Sequence, residues 1–560
     1  MSNANLISFG GLFVLMGFGW LLSANRRNVN WRAIGWGVGI QLVIALFVFA
    51  VPLPEPIVCV FLAGLAITAL GGVLSAFGLR LDRWVVVLGL AIELAAAVLV
   101  SYTLDGGAGW LFARLFALCV LAGLAWLGAG LWRGSRPRAV VVALAAQIVF
   151  GLLIWAVPHA ARTLEQTTAR ALTWSRSAPQ VFLWLNDRVV AGLDAAMAGQ
   201  RFLFGPLADP GKTGGFVLAT QALPVIIFFA ALMALLYHWR VMPLVIRGFA
   251  WVFTRLMRIS GAESLCVASN IFVGVESATA VRPYLSRMTR SELCTILTAG
   301  MATVASSTLG LYVLLLGKVF PTIAGHLISA SLLSAPAAIV MSKLLMPEDG
   351  VPLTMGRRAR LSVESASGGI EAVINGSMAG VKLVVGVCAL LIAFLGLIAV
   401  ANLFIKWSVL ATFPAPPGPE VAAALETPIE RLLGVVMAPF ALVMGVPLDD
   451  ALVAGRLLGQ RLIATEVPAY IQLGGLMEAK AFASPRTPVV MAYALCGFAH
   501  VASLAIFVGG IAALVPERRR DLAEVGPRAL LAATLACLMT GAVAGTFYQA
   551  GVTVLQAAPK

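Results

Sequence analysis

Five stretches of the chain are long enough to cross a lipid bilayer and contain no Asp, Glu, Lys or Arg. They are residues 57–79, 213–239, 383–405, 487–516 and 529–559; about 20 apolar residues suffice for one transmembrane helix. Hydrophobic residues make up 60% of the 560, and charged residues only 11%, less than half the usual share in soluble domains. The alternating segments of a transmembrane β-barrel are not seen. The sequence therefore predicts an all-α, polytopic membrane protein.

The basic residues that give the chain a formal charge of +14 fall in short clusters between the apolar stretches. These clusters are residues 25–32, 132–138, 356–360 and 517–520. Lys and Arg are enriched in the cytoplasmic loops of membrane proteins, so we interpret the clusters as loop anchors and expect no nucleic-acid partner. The seven cysteines form no CxxC pair, which argues against a disulfide framework or a zinc site. We expect no cofactor.

Placing each basic cluster in the cytoplasm gives a consistent path of spans. The predicted spans are residues 5–23, 33–52, 57–79, 84–103, 109–131, 139–157, 214–237, 293–316, 319–345, 381–405, 487–513 and 526–550. Residues 160–212 are amphipathic and predict a helix on the membrane surface. The path predicts a multi-pass membrane protein with these loops in the cytoplasm, and the localisation that we expect is the bacterial cytoplasmic (inner) membrane.

Two further apolar segments, 260–283 and 447–480, are interrupted by Glu, Asn, Gly or Pro and predict re-entrant hairpins. Each precedes a similar phrase, "GMATVAS" at 300–306 and "GFAHVAS" at 497–503. On the predicted path the two phrases run in opposite directions. A hairpin and a broken helix repeated in inverted orientation indicate a secondary transporter with its site at the midplane. Chance similarity in a chain rich in Ala, Val and Gly is the alternative.

Each predicted hairpin contains a glutamate, Glu276 or Glu466. A carboxylate at membrane depth costs about 2.5–3.5 kcal/mol on insertion scales, so we expect both to face a cavity, where they accept hydrogen bonds from a polar solute. They could instead cap backbone amides of their own hairpins. His500 and Ser503 are three residues apart, which predicts one shared helix face beside Glu466; a structural histidine is the alternative.

Oxygen ligands for a hard cation are expected where the first broken helix opens. Asn270, Thr303 and the carbonyls freed near Val304 suit a monovalent ion such as sodium better than a soft metal.

At these residues the chain resembles the concentrative nucleoside transporters. The resemblance covers roughly 1–53 and 180–550, including "SNIFVGVESATAVRPYLSRMTRSELCTILTAGMATVAS" and "YALCGFAHVASLAIFVGGIAALVPERRRDLAEVGPRALLAATLAC". It implies a homotrimer whose protomers each import a nucleoside, usually together with sodium, through an elevator-type movement. A proton is the alternative coupling ion.

The resemblance also implies roles for individual residues. The substrate-binding positions of the family match Val275, Glu276, Thr308, Glu466, Phe498, His500 and Ser503, and the sodium site matches Asn270, Val273, Thr303 and Val304.

The chain departs from the family's pattern at two substrate positions. Val275 stands where the first hairpin usually has a Gln facing the nucleobase, and His500 replaces the usual ribose-binding Asn. Losing the Gln removes a donor and an acceptor, and His500 brings an imidazole in place of an amide. Our hypothesis is a nucleoside or close analogue bound in an altered base pocket, with His500 contacting the sugar hydroxyls.

The predicted organisation has six regions. They are an N-terminal transmembrane helix pair (1–53), an inserted four-helix segment (54–160), an interfacial helix with scaffold helices (161–258), a first hairpin repeat (259–346), a linker with a scaffold helix and a periplasmic segment (347–446), and a second hairpin repeat (447–560). An integral-membrane enzyme and a non-transporting receptor are the rival classes. The enzyme would need a catalytic constellation, and the adjacent acidic pair Asp449 and Asp450 reads equally well as a helix start.

Overall fold

The structure is a computed structural model that describes residues 3–49, 158–213, 215–357, 359, 366–412 and 425–549. The side chains of residues 158–180, 210–211 and 275–276 lie outside this description. The chain separates into two compact units, Met1–Phe49 with Pro179–Lys560, and Ala50–Ala178. The four helices predicted within 54–160 lie outside the described residues, so everything below concerns the first unit.

The described residues form helices and no strand. The helices are α1 (Asn3–Leu21), α2 (Trp31–Val48), α3 (Pro158–Phe204), α4 (Val225–His238), α5 (Val241–Met257), α6 (Gly261–Asn270), α7 (Arg290–Ala302), α8 (Ser306–Leu316), α9 (Ile323–Leu345), α10 (Gly369–Thr412), α11 (Pro428–Val443), α12 (Leu448–Ile463), α13 (Glu466–Glu478), α14 (Arg486–Ala494), α15 (Val501–Leu514) and α16 (Arg519–Phe547). Short helical turns lie at Pro210–Thr213, Leu218–Gln221 and Arg282–Leu285, and 3₁₀ turns at Gly205–Ala208, Val275–Val281 and Pro516–Arg518. The predicted all-α fold is confirmed.

Seven helical segments of the described residues are long and apolar enough to cross a membrane. Two of them differ sharply in burial. In α9, 89% of the most apolar window is buried inside the protein, whereas in α10 the buried share is 6%. Apolar side chains that other parts of the protein do not cover suit contact with lipid. The helix α10 is also much longer than the predicted span 381–405.

Both predicted hairpins are helical segments interrupted at a polar point. The first consists of α6 followed by the turn Val275–Val281, and α6 begins at a capping box in which Ser260 Oγ accepts the Glu263 N–H. The second consists of α12 and α13, which pack against each other and are separated by Ala464 and Thr465. Asp450, in the first turn of α12, accepts hydrogen bonds from the Ala483 and Ser484 amides and from Thr487 Oγ1. The helix-start interpretation of this acidic pair therefore fits the structure.

Two predicted spans are broken near their middles. The span 293–316 becomes α7 and α8, with a break at 303–305, and the span 487–513 becomes α14 and α15, with a break at 495–500. These breaks coincide with the two similar phrases. The glycines that start the phrases allow close packing there: Gly300 lies against the Phe507 ring, and a Cβ on Gly497 would lie 2.6 Å from the Ala302 carbonyl oxygen.

Two buried charge clusters connect the elements around these breaks. Lys343 Nζ lies 2.7 Å from Glu263 Oε1 and 2.9 Å from Ser291 Oγ, which joins α9 to the starts of α6 and α7. The Arg486 guanidinium donates to five oxygen atoms: Asn5 Oδ1, Ser8 Oγ and the carbonyls of Ala4, Gly445 and Gly545. This side chain therefore joins α14 to both ends of the chain's described part.

Candidate functional site

A cavity of about 90 Å³ lies where α8, α13 and α15 meet α10. Its polar lining comes from the two broken helices and the second hairpin: Ser307, Thr308, Tyr312, Thr465, Glu466, His500 and Ser503. The helix breaks explain this concentration of polar groups. Unwound backbone at membrane depth is tolerated only inside protein or beside a cavity, so the polar residues of the breaks face inward.

Glu466 is at the centre of the polar lining. It is the first residue of α13 and is 4% exposed, and both carboxylate oxygens meet a side chain from another element. Tyr312 Oη donates to Oε1 at 2.7 Å, and His500 Nε2 lies 3.1 Å from Oε2. The helix N-terminus favours a negative charge at this position. The site thus holds a carboxylate in a fixed orientation, with remaining lone pairs to accept hydrogen bonds from a solute.

The structure corrects the predicted placement of His500 within a helix. His500 is the N-cap of α15, with extended backbone, and its Nδ1 accepts the N–H of Ser503 at 3.1 Å. Ser503 Oγ in turn accepts the His500 N–H. The two residues therefore form a capping box and do not share a helix face. Because Nδ1 is occupied as an acceptor, Nε2 is the ring nitrogen assigned the proton, and it is the one that meets Glu466.

Part of the cavity lining is apolar. Leu383, Val387 and Leu390 line it from one face of α10, and Leu311, Ile506 and Phe507 add further apolar surface. The polar groups thus belong to the broken helices and the second hairpin, and α10 contributes no hydrogen-bonding side chain to the lining. A solute in this cavity would meet both polar and apolar surface.

The predicted substrate residues are partly brought together. Thr308, Glu466, Phe498, His500 and Ser503 line the cavity, as does Gly274 at the end of the first hairpin's break. The backbones of Val275 and Glu276 lie in the adjoining 3₁₀ turn, but their side chains are outside the description. Of the two glutamates predicted to face a cavity, the structure therefore shows this for Glu466, and the role of Glu276 stays a prediction.

The predicted cation residues lie where the first hairpin meets the break between α7 and α8. Ser331 Oγ donates to the Ile271 carbonyl at 2.7 Å and lies 3.5 Å from the Val304 carbonyl, and the Ser306 amide donates to the Phe272 carbonyl at 3.1 Å. Asn270 Oδ1 accepts from Ser277 Oγ at 2.7 Å. Thr303 Oγ1 donates to the Ala299 carbonyl at 2.9 Å. Asn270, Thr303 and Val304 are thus buried in one hydroxyl-rich region, whereas Val273 is half-buried.

Sequence reasoning missed Tyr312 and the apolar wall. Tyr312 is fully buried, and its ring centroid is 4.7 Å from that of Tyr470. It lies four residues after Thr308, so the helical spacing could have placed it on the same face. The wall residues of α10 carry no comparable signal, because apolar side chains in a span look the same whether they face lipid or a cavity.

A second and larger cavity, of about 900 Å³, lies beside the first, and both are lined by Gly274 and Ser307. Its lining includes Arg240, Arg247 and Asn375. Arg240 and Arg247 are on the side that the positive-inside rule assigns to the cytoplasm. The smaller cavity therefore adjoins a larger cavity that lies toward the predicted cytoplasmic side.

Three family models match the chain. The model described as "Na+ dependent nucleoside transporter C-terminus" matches residues 326–545, that described as "Nucleoside recognition" matches 219–319, and that described as "Na+ dependent nucleoside transporter N-terminus" matches 10–70. The matched ranges include both broken helices and the second hairpin.

Individual proteins are similar over most of their length. The chain is 37% identical to the uncharacterized transporter YutK of Bacillus subtilis, over 78% of this chain and 99% of that protein. It is 31% identical to the nucleoside permease NupC of Helicobacter pylori, over 78% of this chain and 98% of that protein. The solved structure of CNTnw in an inward-facing substrate-bound state aligns with a TM-score of 0.64 and 28% identity, covering 97% of this chain and 98% of that one.

The two named relatives are a transporter and a permease, not enzymes, and the aligned structure shares the fold of this chain. The enzyme alternative is thereby set aside. The chain is a multi-pass helical protein of the bacterial inner membrane. Together with the matches above, this shows that it belongs to the Na⁺-dependent, or concentrative, nucleoside transporter family.

Proposed function

We propose that this chain imports nucleosides or close analogues by cation symport, through an elevator-type movement in a homotrimer. The observation that carries the proposal is the buried Glu466 carboxylate, fixed by Tyr312 and His500 at the wall of a cavity between the two broken helices. Discontinuous helices around a midplane site are typical of secondary transporters. The similarity to a nucleoside permease gives the substrate class.

A nucleoside fits the mixed polar and apolar lining of the cavity. The hydroxyls of a sugar are donors that suit a carboxylate acceptor, and Ser503 and Thr308 offer further hydroxyl partners. A planar base suits the apolar wall of α10. Since Val275 has no polar atom in its side chain, we propose that the sugar is recognised more strictly than the edge of the base.

We propose sodium as the coupled ion. The family models that match the chain are described as Na⁺-dependent, and hard oxygen ligands suit an alkali cation. Asn270, Val273, Thr303 and Val304 would supply those ligands. Their carbonyl and amide oxygens keep lone pairs beyond those used by Ser277 and Ser331.

Uptake of radiolabelled uridine or adenosine into proteoliposomes tests the proposal, with internal and external sodium varied against choline. We expect accumulation above the external concentration only with an inward sodium gradient. Glu466→Gln should reduce uptake at least about tenfold, because it removes an ionised acceptor whose hydrogen bonds are worth about 1.5–3 kcal/mol. Glu478→Gln, at the exposed end of the same helix, is the matched control.

The outcomes separate the alternatives. Accumulation that depends on a proton gradient and not on sodium would contradict the proposed coupling ion but would still support a nucleoside transporter. Binding of nucleoside without accumulation would support the receptor. Equal effects of the two glutamate substitutions would contradict the role of Glu466.

A further inference from the structure

The second hairpin enters α13 at a threonine whose hydroxyl has no hydrogen-bond partner among the described residues. Thr465 is the N-cap of α13, with extended backbone. An N-cap threonine usually accepts a hydrogen bond from the N–H of the second or third helical residue, but Thr465 makes no such bond. Its Oγ1 atom is buried without a partner, and the residue is 6% exposed. A buried hydroxyl in this condition is costly unless a molecule in the cavity pairs with it.

The sequence after Thr465 explains why its hydroxyl does not cap the helix. The third residue of α13 is Pro468, and proline has no N–H to donate. One of the two usual partners of a capping hydroxyl is therefore absent, and the other, the Val467 N–H, is not bonded to Thr465. The hydroxyl is thus not tied to its own helix, and Thr465 is one of the residues that line the solute cavity.

The other buried hydroxyls of the described cavity lining have committed their protons to acceptors in the protein. The donors and their acceptors are Tyr312 with Glu466, Thr308 with the Ala305 carbonyl, and Ser503 with the His500 carbonyl. A hydroxyl has one proton to donate, so these groups can accept a hydrogen bond from a solute but cannot donate one without losing a bond. Among the described side chains, Thr465 is the buried lining hydroxyl whose proton is uncommitted.

We propose that Thr465 is a specificity-determining residue of the solute cavity, whose hydroxyl donates a hydrogen bond to one of the two vicinal hydroxyls of a ribonucleoside. Glu466 follows directly in the chain, and an ionised carboxylate only accepts hydrogen bonds. A donor next to an acceptor matches a vicinal diol, in which one hydroxyl donates to the carboxylate and its neighbour accepts from the threonine. A solute that lacks either hydroxyl leaves a buried polar group unpaired and is bound less well. The inference rests on the proposed function for the class of solute.

Affinities for three solutes test the proposal. The full chain in detergent with sodium is titrated by calorimetry with uridine, 2′-deoxyuridine and 3′-deoxyuridine, and Thr465→Val is compared with the wild type. This substitution keeps the branched shape of the side chain and replaces the hydroxyl by a methyl group. We expect uridine to bind the variant about three- to tenfold more weakly, as for the loss of one hydrogen bond between neutral groups. Thr465→Ser keeps the hydroxyl and should keep the wild-type preference among the three solutes.

The two deoxy solutes identify the contact through its coupling to the substitution. The analogue without the hydroxyl that Thr465 contacts should bind Thr465→Val at least as well as the wild type, whereas the other analogue should show the same loss as uridine. Thr540→Val is the control, since Thr540 Oγ1 donates to the Ala536 carbonyl within α16, and it should leave all three affinities unchanged. Equal losses for all three solutes in Thr465→Val, or no loss for any, would overturn the proposal and leave nucleoside binding intact.

Thermal unfolding without nucleoside separates this proposal from the proposed function. Replacing a buried hydroxyl that has no partner by a methyl group removes a desolvation cost, so we expect Thr465→Val to melt in detergent at or above the wild-type temperature. A lower melting temperature would show that the hydroxyl has a structural partner, and would overturn the proposal. If Thr465→Val melts no lower but the wild type binds no nucleoside, the proposed function is rejected, and Thr465 is kept as a donor for a solute of another class.

Discussion

At the scale of single residues, Tyr312 determines how the Glu466 carboxylate is presented. Its hydroxyl donates to Oε1 at 2.7 Å, and its ring packs on Tyr470 with no exposed surface. The tyrosine is therefore a rigid donor, placed from a different helix, that selects one orientation of the carboxylate. Hydrogen bonds to charged groups are stronger than those between neutral groups.

Tyr312→Phe removes this donor and keeps the ring. Because the carboxylate loses a partner worth about 1.5–3 kcal/mol, we expect the dissociation constant for nucleoside to rise at least about tenfold, measured by calorimetry. Tyr470→Phe is the control, since its hydroxyl donates to the Ala492 carbonyl and does not contact Glu466. Equal losses of affinity in the two variants would show that general packing, and not the carboxylate, is responsible.

At the scale of elements, the two broken helices approach each other through small residues. Gly497 lies against the Ala302 carbonyl and Cys537 Sγ, so the break before α15 packs on the break after α7. Glycine is required here by the close approach of backbone to backbone. This contact keeps the two helix breaks, 303–305 and 495–500, next to each other.

Gly497→Ala tests that contact. The added Cβ would lie 2.6 Å from both the Ala302 oxygen and Cys537 Sγ, and overpacking of this kind costs about 1–3 kcal/mol. We expect lower thermal stability in detergent together with weaker nucleoside binding. Gly509→Ala, on α15 where a Cβ meets nothing within 4 Å, should change neither. A Gly497→Ala protein with normal stability and affinity would contradict the close approach.

Within the described residues, the spans and their breaks could be predicted from the sequence because two physical signals are strong. A long stretch without charged residues indicates a transmembrane span. A polar or glycine-containing interruption of that stretch indicates unwound backbone, whose hydrogen-bonding groups must find partners inside the protein. The break near Val304 was placed to within a residue of the observed 303–305. His500 was misplaced because a capping residue and the first turn of a helix look alike in sequence. Tyr312, Leu383 and Val387 were missed because a residue in an apolar run gives no sign of facing a cavity.

At the scale of the whole described unit, Arg486 links regions that are far apart in sequence. Its guanidinium is 4% exposed as a residue and reaches α1, the turn after α11 and the end of α16. The five donors of an arginine are arranged as a planar fork that a lysine ammonium does not reproduce. Among the described residues its bonded acceptors are carbonyls, an amide oxygen and a hydroxyl, with no carboxylate.

Arg486→Lys is therefore expected to destabilise the unit by at least about 2 kcal/mol, since buried acceptors left without a donor cost about 1–3 kcal/mol each. Thermal unfolding in detergent measures the effect. Arg520→Lys is the control, because that side chain is 91% exposed, and such a surface change stays within about 0.5 kcal/mol. Similar melting temperatures for the two variants would refute the linking role of Arg486.

The uniformly apolar lining from α10 has a mechanical consequence. Hydrogen bonds fix the register between two surfaces, since sliding one past the other breaks each bond in turn. Leu383, Val387 and Leu390 offer none to the cavity, so at this wall a displacement of the polar side along the helix is opposed by dispersion forces and by the fit of side-chain shapes, and not by hydrogen bonds. We therefore expect a low energy barrier to sliding along this part of α10. A single polar substitution there would raise that barrier by adding a hydrogen bond that must break.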